Sequence, residues 1–373
     1  PFFDYAEKVF GTSGQAWTVK GQLVGQGKGG NPYAPDRSNP FPLEAQKNTV
    51  SAQLFGKAAT EVGYKPYNLP SANTSGPYTN PYGAQMGPCN FCGFCSGYVC
   101  YMYSKASPNV NILPALKPLP NFELRANSHV LRVNLDSSKT KATGVTYIDA
   151  QGREIEQPAD LVILGAFQLH NVRLMLLSGI GKPYDPISGE GVVGRNFAYQ
   201  NMATIKAFFD KDTHTNNFIG AGGNGVALDD FNADNFDHGP HGFVGGSPMW
   251  VNQAGSRPIA GTSNPPGTPA WGSAWKRATA DYYTHQVSMD AHGAHQSYRG
   301  NYLDLDPVYR DAYGLPLLRM TFDWQENDIK MNRFMVEKMG KVAEAMGPKA
   351  IAVIGKKVGD HFNTASYQTT HLN

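Results

Sequence analysis

The chain has 373 residues, of which 41% are hydrophobic and 17% charged, so it is long enough for one large or two ordinary globular domains. Its net charge of +2 is too small to indicate nucleic acid or an acidic surface as a partner. The sequence has no apolar run of about 18 residues that would span a membrane. It opens without a methionine or a basic leader and stops without a helix cap, so we expect an internal piece of a longer protein.

The first part of the chain is predicted to be loop-rich, with short helices. Helical periodicity occurs within residues 1–20 and again over 46–62, and Gly63 follows the second helix as a C-cap. The stretch Gly25–Gly30 fits G-x-G-x-x-G, but Asn and Pro follow where a dinucleotide-binding motif needs a helix. The stretch Gly220–Gly225 fits the same pattern and is followed by polar residues. We interpret both as loops.

All four cysteines are clustered in one short stretch with the spacing C-x2-C-x2-C-x4-C. They are Cys89, Cys92, Cys95 and Cys100. Ferredoxin-type runs use C-x2-C-x2-C-x3-C-P, and this stretch shares the first three positions, then has a longer gap and Tyr101 instead of proline. The spacing predicts an iron–sulfur site holding a [3Fe–4S] or [4Fe–4S] cluster. Three alternatives stay open, namely a four-cysteine zinc site, two disulfides, and chance clustering of buried thiols.

The middle of the chain has the pattern of a nucleotide-binding domain. Alternating segments predict a meander of strands, at Phe122–Arg125, Val130–Val133, Ala142–Asp149 and Arg153–Gln157. The apolar run Asp160–Ala166 then predicts a parallel strand buried on both faces. A helix over Leu169–Ser178, closed by Gly179, completes a βα unit.

After residue 200 the pattern changes to short strands separated by Gly- and Asn-rich loops. Strands are predicted at Ala203–Phe209, Tyr283–Met289 and Leu318–Phe322, and a helix at Glu326–Met346. This favours an antiparallel sheet with long connections. The predicted fold class is α/β, α+β overall, with a partial Rossmann-like domain interleaved with an antiparallel-sheet domain.

Four segments carry short motifs in a definite order, namely Gly165–Gly181, Val193–Phe197, Gly314–Pro316 and His371–Asn373. In order and spacing they resemble one family of flavoproteins, the glucose–methanol–choline (GMC) oxidoreductases. The first resembles the family's second signature, with Leu169-His170 in place of Ser/Thr-Pro. The others resemble its Val-Gly-x-Asn-Leu segment, its Gly-x-Pro turn and the start of its His-Pro-x-Gly-Thr segment. The resemblance covers about residues 120–373.

The cysteine run and its position before the meander resemble a subset of this family, the large subunits of membrane-associated sugar dehydrogenases. This resemblance implies oxidation of a sugar, sugar alcohol or gluconate-like sugar acid, with hydride transfer to FAD. Electrons would leave through the iron–sulfur cluster to a cytochrome c subunit, and a small accessory subunit is implied as well. It also implies a periplasmic protein that associates with the membrane only through its partners.

The resemblance also implies roles for single residues. His371 would be the catalytic base, a role that suits histidine because its pKa lies near working pH. Val130 would contact the adenine of FAD through its backbone, and Gly165 and Ala166 would let the backbone approach the cofactor. The phosphate-binding glycine loop would lie before Pro1, so we expect this chain alone to bind FAD poorly or not at all.

The same reasoning divides the chain into four parts. Residues 1–120 carry the cysteines, 121–198 form part of the FAD-binding domain, 199–355 form the substrate domain, and 356–373 begin the return to the catalytic region. The competing hypothesis is a carbohydrate-binding or structural protein stabilised by a four-cysteine zinc site. An oxygen-using oxidase of the same family is disfavoured, because an oxidase has no need of an electron relay. The tryptophans suit either core packing or a sugar pocket.

Overall fold

The protein divides into two compact units. A computed structural model describes residues 2–95, 97–215, 219–251 and 263–354. The larger unit contains the described residues of Pro1–Phe122, Gln200–Ala294 and Glu326–Lys356. The smaller unit contains Glu123–Tyr199 and His295–Gln325. Within the described ranges, every helix is too short or too polar to cross a membrane.

The helices predicted within residues 1–20, 46–62, 169–178 and 326–346 are present, whereas the helix at Gly272–Tyr282 was not predicted. In chain order they are α1 Phe2–Phe10, α2 Val50–Glu61, α3 Pro108–Asn111, α4 Leu113–Leu116, α5 Phe167–Ser178, α6 Gly272–Tyr282 and α7 Glu326–Ala345. Helix α2 begins later than the predicted residue 46, because Thr49 has extended backbone angles and stands at the N-cap. Helix α5 ends at Gly179, whose φ of 68° is the left-handed conformation that glycine adopts at low cost.

The strands form antiparallel sheets. In chain order they are β1 Thr18–Val19, β2 Gln22–Leu23, β3 Tyr67–Asn68, β4 Tyr78–Thr79, β5 Gln85–Met86, β6 His129–Leu135, β7 Ala142–Ile148, β8 Glu154–Pro158, β9 Asn201–Phe208, β10 Val226–Leu228, β11 Met249–Val251, β12 Gln286–Gly293, β13 Tyr302–Arg310, β14 Pro316–Thr321 and β15 Ala350–Ile354. Every ladder between these strands is antiparallel. The predicted mixed α/β class is confirmed.

The larger unit is built on a six-stranded sheet with the order β15-β9-β12-β11-β10-β3. Its longest ladder joins β9 and β12, from the pair Phe208–Gln286 to the pair Asn201–Gly293. Side chains alternate between the two faces, and one face carries fully buried residues such as Ile205 and Met289. That face shares one hydrophobic core with α2 and α7, whose side chains Phe55 and Met335 are also fully buried.

The smaller unit combines a three-stranded sheet, β6-β7-β8, with the hairpin β13-β14. The end of α5 is tied to β6, because the backbone N–H of Val133 donates to Oγ of Ser178 at 2.8 Å. Leu169, Phe197 and Leu303 form its buried core. The predicted meander is therefore confirmed for its three later strands.

Two predicted strands are wrong. Phe122–Arg125 and Asp160–Ala166 have no strand conformation. In the second segment Leu161 is 75% exposed and Ile163 is 82% exposed, so it is not buried on both faces. An apolar run becomes a strand only where a neighbouring strand forms hydrogen bonds with its backbone N–H and C=O groups. No ladder among the described residues reaches either segment.

Replacing Phe55 by alanine tests the core beneath the sheet. The change removes a fully buried ring from α2 and should lower the free energy of unfolding by about 3–5 kcal/mol. The control is Val50→Ala on the same helix, where the side chain is 40% exposed and the loss should stay within about 0.5 kcal/mol. Urea unfolding measures both. Equal losses in the two variants would show that α2 does not pack as described.

Candidate functional site

The cysteine loop lies in the larger unit with all four thiols free. Cys95 is buried, whereas Cys89, Cys92 and Cys100 are half-buried. No disulfide joins any of them, so the disulfide alternative is wrong for this structure. The loop turns at residues with positive φ, which include Phe91 at 56° as well as two glycines.

The loop is held against the glycine-rich segment that precedes β10. Cys92 forms a backbone bridge with Gly220, and the N–H of Gly93 donates to the carbonyl of Gly220 at 3.3 Å. A Cβ atom on Gly222 would lie 2.8 Å from Cβ of Cys95, so only glycine allows this approach. The second G-x-G-x-x-G stretch is therefore a loop, as predicted, and it packs against the cysteines.

Opposing influences act on the Cys89 thiol, and burial is the largest of them. Burial raises the pKa of the Cys89 thiol, and the nearby Cys95 and Cys100 act in the same direction. The backbone N–H of Phe91 and the side-chain amide of Asn73 hydrogen-bond to Cys89 and act to lower its pKa. Hydrogen-bond donors directed at sulfur stabilise a thiolate, which is the ligand form of cysteine. Among the described residues, no three Cys, His, Asp or Glu side chains already converge as a metal-binding group.

A cavity of about 440 Å³ extends from this loop to the six-stranded sheet. Its lining includes Cys95, Lys105, Asn73, Asn224 and, on β11, Trp250. The Lys105 ammonium donates to the carbonyl oxygens of Cys95 at 2.7 Å and Tyr98 at 3.2 Å. Lys105 thus holds the second half of the loop next to the cavity.

The face of the sheet opposite the core is polar. The register pairs Trp250 with Asp290 and Asp290 with Thr204, so these three side chains form one row across β11, β12 and β9. The hydroxyl of Thr204 donates to the Asp290 carboxylate at 2.7 Å. His292, two residues further along β12, contacts the Trp250 ring edge-on at 4.5 Å between centroids. Hydroxyl, carboxylate, imidazole and indole groups next to one another suit a hydroxyl-rich ligand.

Lys206, a basic side chain, lies on the same face. It pairs with Ser288 in the β9–β12 ladder and donates to the hydroxyl of Ser263. Burial lowers the pKa of Lys206, and the Asp290 carboxylate opposes that effect. Since burial disfavours its charge, an anionic ligand group would stabilise the protonated form.

A second cavity, of about 390 Å³, lies in the smaller unit between β6 and α5. Val130 and Ala166, two of the residues predicted to contact FAD, both line it, together with the side chains of His129 and His170. Gly165 precedes Ala166 in the chain but is not a lining residue. Apolar walls with a few polar groups at the rim are typical of a cofactor site.

Two side chains of α5 fix the geometry of this second cavity. The Asn171 amide accepts from the N–H of Ala166 at 2.8 Å and donates to the carbonyl of Leu164 at 3.1 Å, which holds the turn before the helix. Arg173 forms an ion pair with Asp311 at 2.5 Å and donates to the carbonyl of Pro316 at 2.9 Å. The Arg173 guanidinium at the cavity wall is therefore already bonded to Asp311 and Pro316.

The remaining predicted residue, His371, lies outside the described residues. The sequence also did not point to Asn73, Lys206 or the Arg173–Asp311 pair. Each of these residues contacts a partner that is distant in sequence, so no local motif identifies it. From the sequence alone, His292-Gly293-Ala294-His295 is interpreted as a loop of the substrate domain, but His292 lies on β12.

Comparison with known proteins supports a flavoprotein fold. Residues 42–202 match the GMC oxidoreductase family. The gluconate 2-dehydrogenase flavoprotein of Pantoea cypripedii is 73% identical over 373 residues, which are 100% of this chain and 61% of that protein. The 2-methyl-1,2-propanediol dehydrogenase of Mycolicibacterium austroafricanum is 23% identical over 350 residues, covering 93% of this chain and 59% of that protein. The chain therefore spans about three fifths of these two relatives.

A solved structure was also similar to this chain. It is a formate oxidase of Aspergillus oryzae RIB40, described for the effect of a mutation on its FAD modification. It aligns with a TM-score of 0.47 and 12% sequence identity, covering 83% of this chain and 60% of that chain.

The Arg173–Asp311 pair predicts a pH-dependent contribution to stability. Burial acts to raise the pKa of Asp311, but hydrogen bonds from Arg173 and from the N–H groups of Leu315 and Tyr313 outweigh it, so the pKa is lowered. A lowered carboxyl pKa stabilises the fold above the unfolded value of about 3.9 and stops doing so as pH falls through the folded value. Asp311→Asn should therefore be less stable than wild type at pH 7, with the difference closing under acid.

Urea unfolding between pH 7 and pH 2.5 measures this difference. The control is Glu190→Gln, whose partner is Lys182 and whose pair is 64% and 66% exposed, so its loss should be near zero throughout. A stability difference for Asp311→Asn that did not change with pH would show that the charge of Asp311 does not stabilise the fold.

Proposed function

We propose that this chain, which belongs to the GMC oxidoreductase family through residues 42–202, is part of an FAD-dependent dehydrogenase for a gluconate-like sugar acid. The observation that carries the proposal is the 73% identity to a gluconate 2-dehydrogenase flavoprotein over the whole chain. When bound, FAD supplies the hydride acceptor for oxidation of the substrate CH–OH group. His371 is proposed as the base that takes the hydroxyl proton.

The cavity between β6 and α5 supports FAD binding by this chain. Val130 and Ala166 line it, and Ala166 has no side chain beyond Cβ to fill the space. Asn171 holds this turn in place, because it accepts from the N–H of Ala166 and donates to the carbonyl of Leu164. We assign Val130, Gly165 and Ala166 to cofactor contact and expect full FAD affinity only in the protein that contains this chain.

The cysteine loop supports a second redox group, an iron–sulfur cluster that would carry electrons out of the enzyme. Its four thiols are free, and two hydrogen-bond donors are directed at Cys89. We favour a [3Fe–4S] cluster on Cys89, Cys95 and Cys100, with Cys92 as the cysteine left without a cluster bond. The backbone of Cys92 is instead paired with Gly220.

An outward electron path requires a partner that accepts electrons. We propose a cytochrome c subunit in this role, together with a small accessory subunit, in a periplasmic complex that reaches the membrane through its partners. The word flavoprotein in the name of the Pantoea cypripedii relative is consistent with one subunit of a larger enzyme. The net charge of +2 gives no reason to expect nucleic acid as a partner.

Metal analysis of the purified protein that contains this chain tests the cluster directly. We expect a brown protein with broad visible absorbance, bound iron and an EPR signal. Cys95→Ser should lose the iron, whereas Cys92→Ser should retain it. Loss of the cluster in Cys92→Ser would exclude the three-thiolate version. A colourless wild-type protein with one zinc per chain would instead favour the structural or carbohydrate-binding alternative.

The polar face of the sheet predicts how a sugar acid is recognised. We propose that Lys206 binds the substrate carboxylate, while Thr204 and Asp290 lie beside it for hydroxyl groups. A hydrogen bond to a charged group contributes about 1.5–3 kcal/mol, so Lys206→Met should raise the KM for gluconate about 10- to 100-fold. The KM for a neutral sugar alcohol should change far less.

Steady-state kinetics with a dye acceptor compare gluconate and sorbitol in both proteins. The matched control is Lys211→Met, because Lys211 is an exposed lysine just beyond β9. Equal increases in KM for the two substrates would show that Lys206 supports the fold and does not bind the carboxylate.

A further inference from the structure

Trp250 belongs to two features of the larger unit, the polar row on the sheet and the cavity next to it. In the row it pairs with Asp290 on β12, whose carboxylate accepts from the Thr204 hydroxyl at 2.7 Å. Trp250 also lines the cavity of about 440 Å³. A ligand that contacts this row can therefore extend past the indole into the cavity.

The cavity is open because many of its lining residues are small. Ala72, Ala106, Gly222 and Gly223 line it and contribute no more than one methyl group each. Pockets that take small molecules have volumes of about 300–1,000 Å³, and this cavity lies within that range. It can therefore hold part or all of a six-carbon chain.

The walls of the cavity match the two kinds of group that a sugar chain carries. Trp250 supplies a flat apolar ring, which packs against C–H groups, while Asn73 and Asn224 supply amides, which bond to hydroxyls. His292 makes a T-shaped contact with the Trp250 ring, at an interplanar angle of 73°. Such a contact covers at most one face of the indole. Because Trp250 is only half-buried, ring surface remains for a ligand.

The separation of Trp250 from Lys206 suits an extended sugar acid. Lys206 pairs with Ser288 and Trp250 pairs with Asp290, so the two residues are two strands apart and offset by two residues. With about 4.8 Å between strands and about 3.3 Å per residue, their backbones are about 12 Å apart. The Lys206 side chain spans part of this distance and a six-carbon chain can bridge the rest. A three-carbon acid held by Lys206 is too short to reach the indole.

We propose that Trp250 is a specificity-determining residue whose indole packs against the hydroxylated end of the sugar acid, and that the cavity beside it receives this end. The inference rests on the proposed gluconate-like substrate and on Lys206 as the contact of its carboxylate. The ligand class of the cavity is thus the hydroxylated chain of a sugar acid, and Trp250 makes the enzyme sensitive to the length of that chain.

The test compares a series of sugar acids, from the three-carbon glycerate to the six-carbon gluconate, in the whole protein that contains this chain. Steady-state kinetics give KM and kcat for acids that are oxidised and inhibition constants for those that only compete. Trp250→Ala should raise the KM for gluconate about tenfold with kcat nearly unchanged, because the packing is lost from the bound substrate and the transition state alike. The loss should shrink as the acid becomes shorter.

Two further variants accompany this measurement. Trp250→Phe keeps a flat ring and should recover most of the affinity for gluconate. The matched control is Trp271→Ala, because Trp271 is 82% exposed and does not line the cavity. It should leave every constant at the wild-type value.

The outcomes separate this inference from the proposed function. Wild-type protein that does not oxidise gluconate would overturn the proposed substrate itself. Wild-type protein that oxidises gluconate, combined with an unchanged KM in Trp250→Ala, would overturn the role of Trp250 alone. A loss of equal size for every acid in the series would also overturn it, because a distorted sheet would then be the cause. Should Trp250→Ala fail to fold, Trp250→Leu decides by the same comparison, since leucine keeps apolar bulk but has no flat ring.

Discussion

The pairing of β9 with β12 is the constraint on which the larger unit depends. In an antiparallel ladder successive side chains point to opposite faces, so one register determines both what is buried and what is presented on the other side. Ile205 and Met289 enter the core on one face, while Thr204 and Asp290 meet on the other. A slip of one residue would exchange the two faces and bury the charged groups.

The cysteine loop depends on the same sheet through the segment that leads into β10. Gly220 pairs with the loop and Gly222 allows Cys95 to approach closely. On its other side the loop is hydrogen-bonded to Thr74, through the N–H of Cys89. The loop therefore lies between two segments that are distant from each other in sequence. A loop anchored in this way can present its thiols in a reproducible arrangement, which a redox site requires.

In the smaller unit a single helix, α5, organises the cavity. It begins where Asn171 holds the preceding turn, and it ends at Gly179, whose left-handed conformation stops the helix. Between these ends Arg173 bonds to Asp311, on the connection of the β13-β14 hairpin, and to Pro316, the first residue of β14. The cavity next to Val130 and Ala166 therefore lies between β6 and a helix that is fixed along its whole length.

The sequence alone determined the features that local interactions encode. Helices α2, α5 and α7 and strands β6, β7 and β8 follow from periodicity and capping, which act over a few residues. The cysteine spacing and the resemblance to GMC oxidoreductases were likewise visible in short segments. Only the tertiary structure decided that Asp160–Ala166 is exposed and not a strand, because a strand requires a partner that its own sequence cannot supply.

Only the tertiary structure, too, brought Asn73 to the thiols, Arg173 to Asp311 and Lys206 to the polar face. Arg173 and Asp311 are separated by 138 positions in the chain. Such contacts depend on how sheets and helices pack, and no short sequence motif around either residue indicates them. The sequence therefore identified which kinds of chemistry the protein carries, and the packing decided which side chains surround each site.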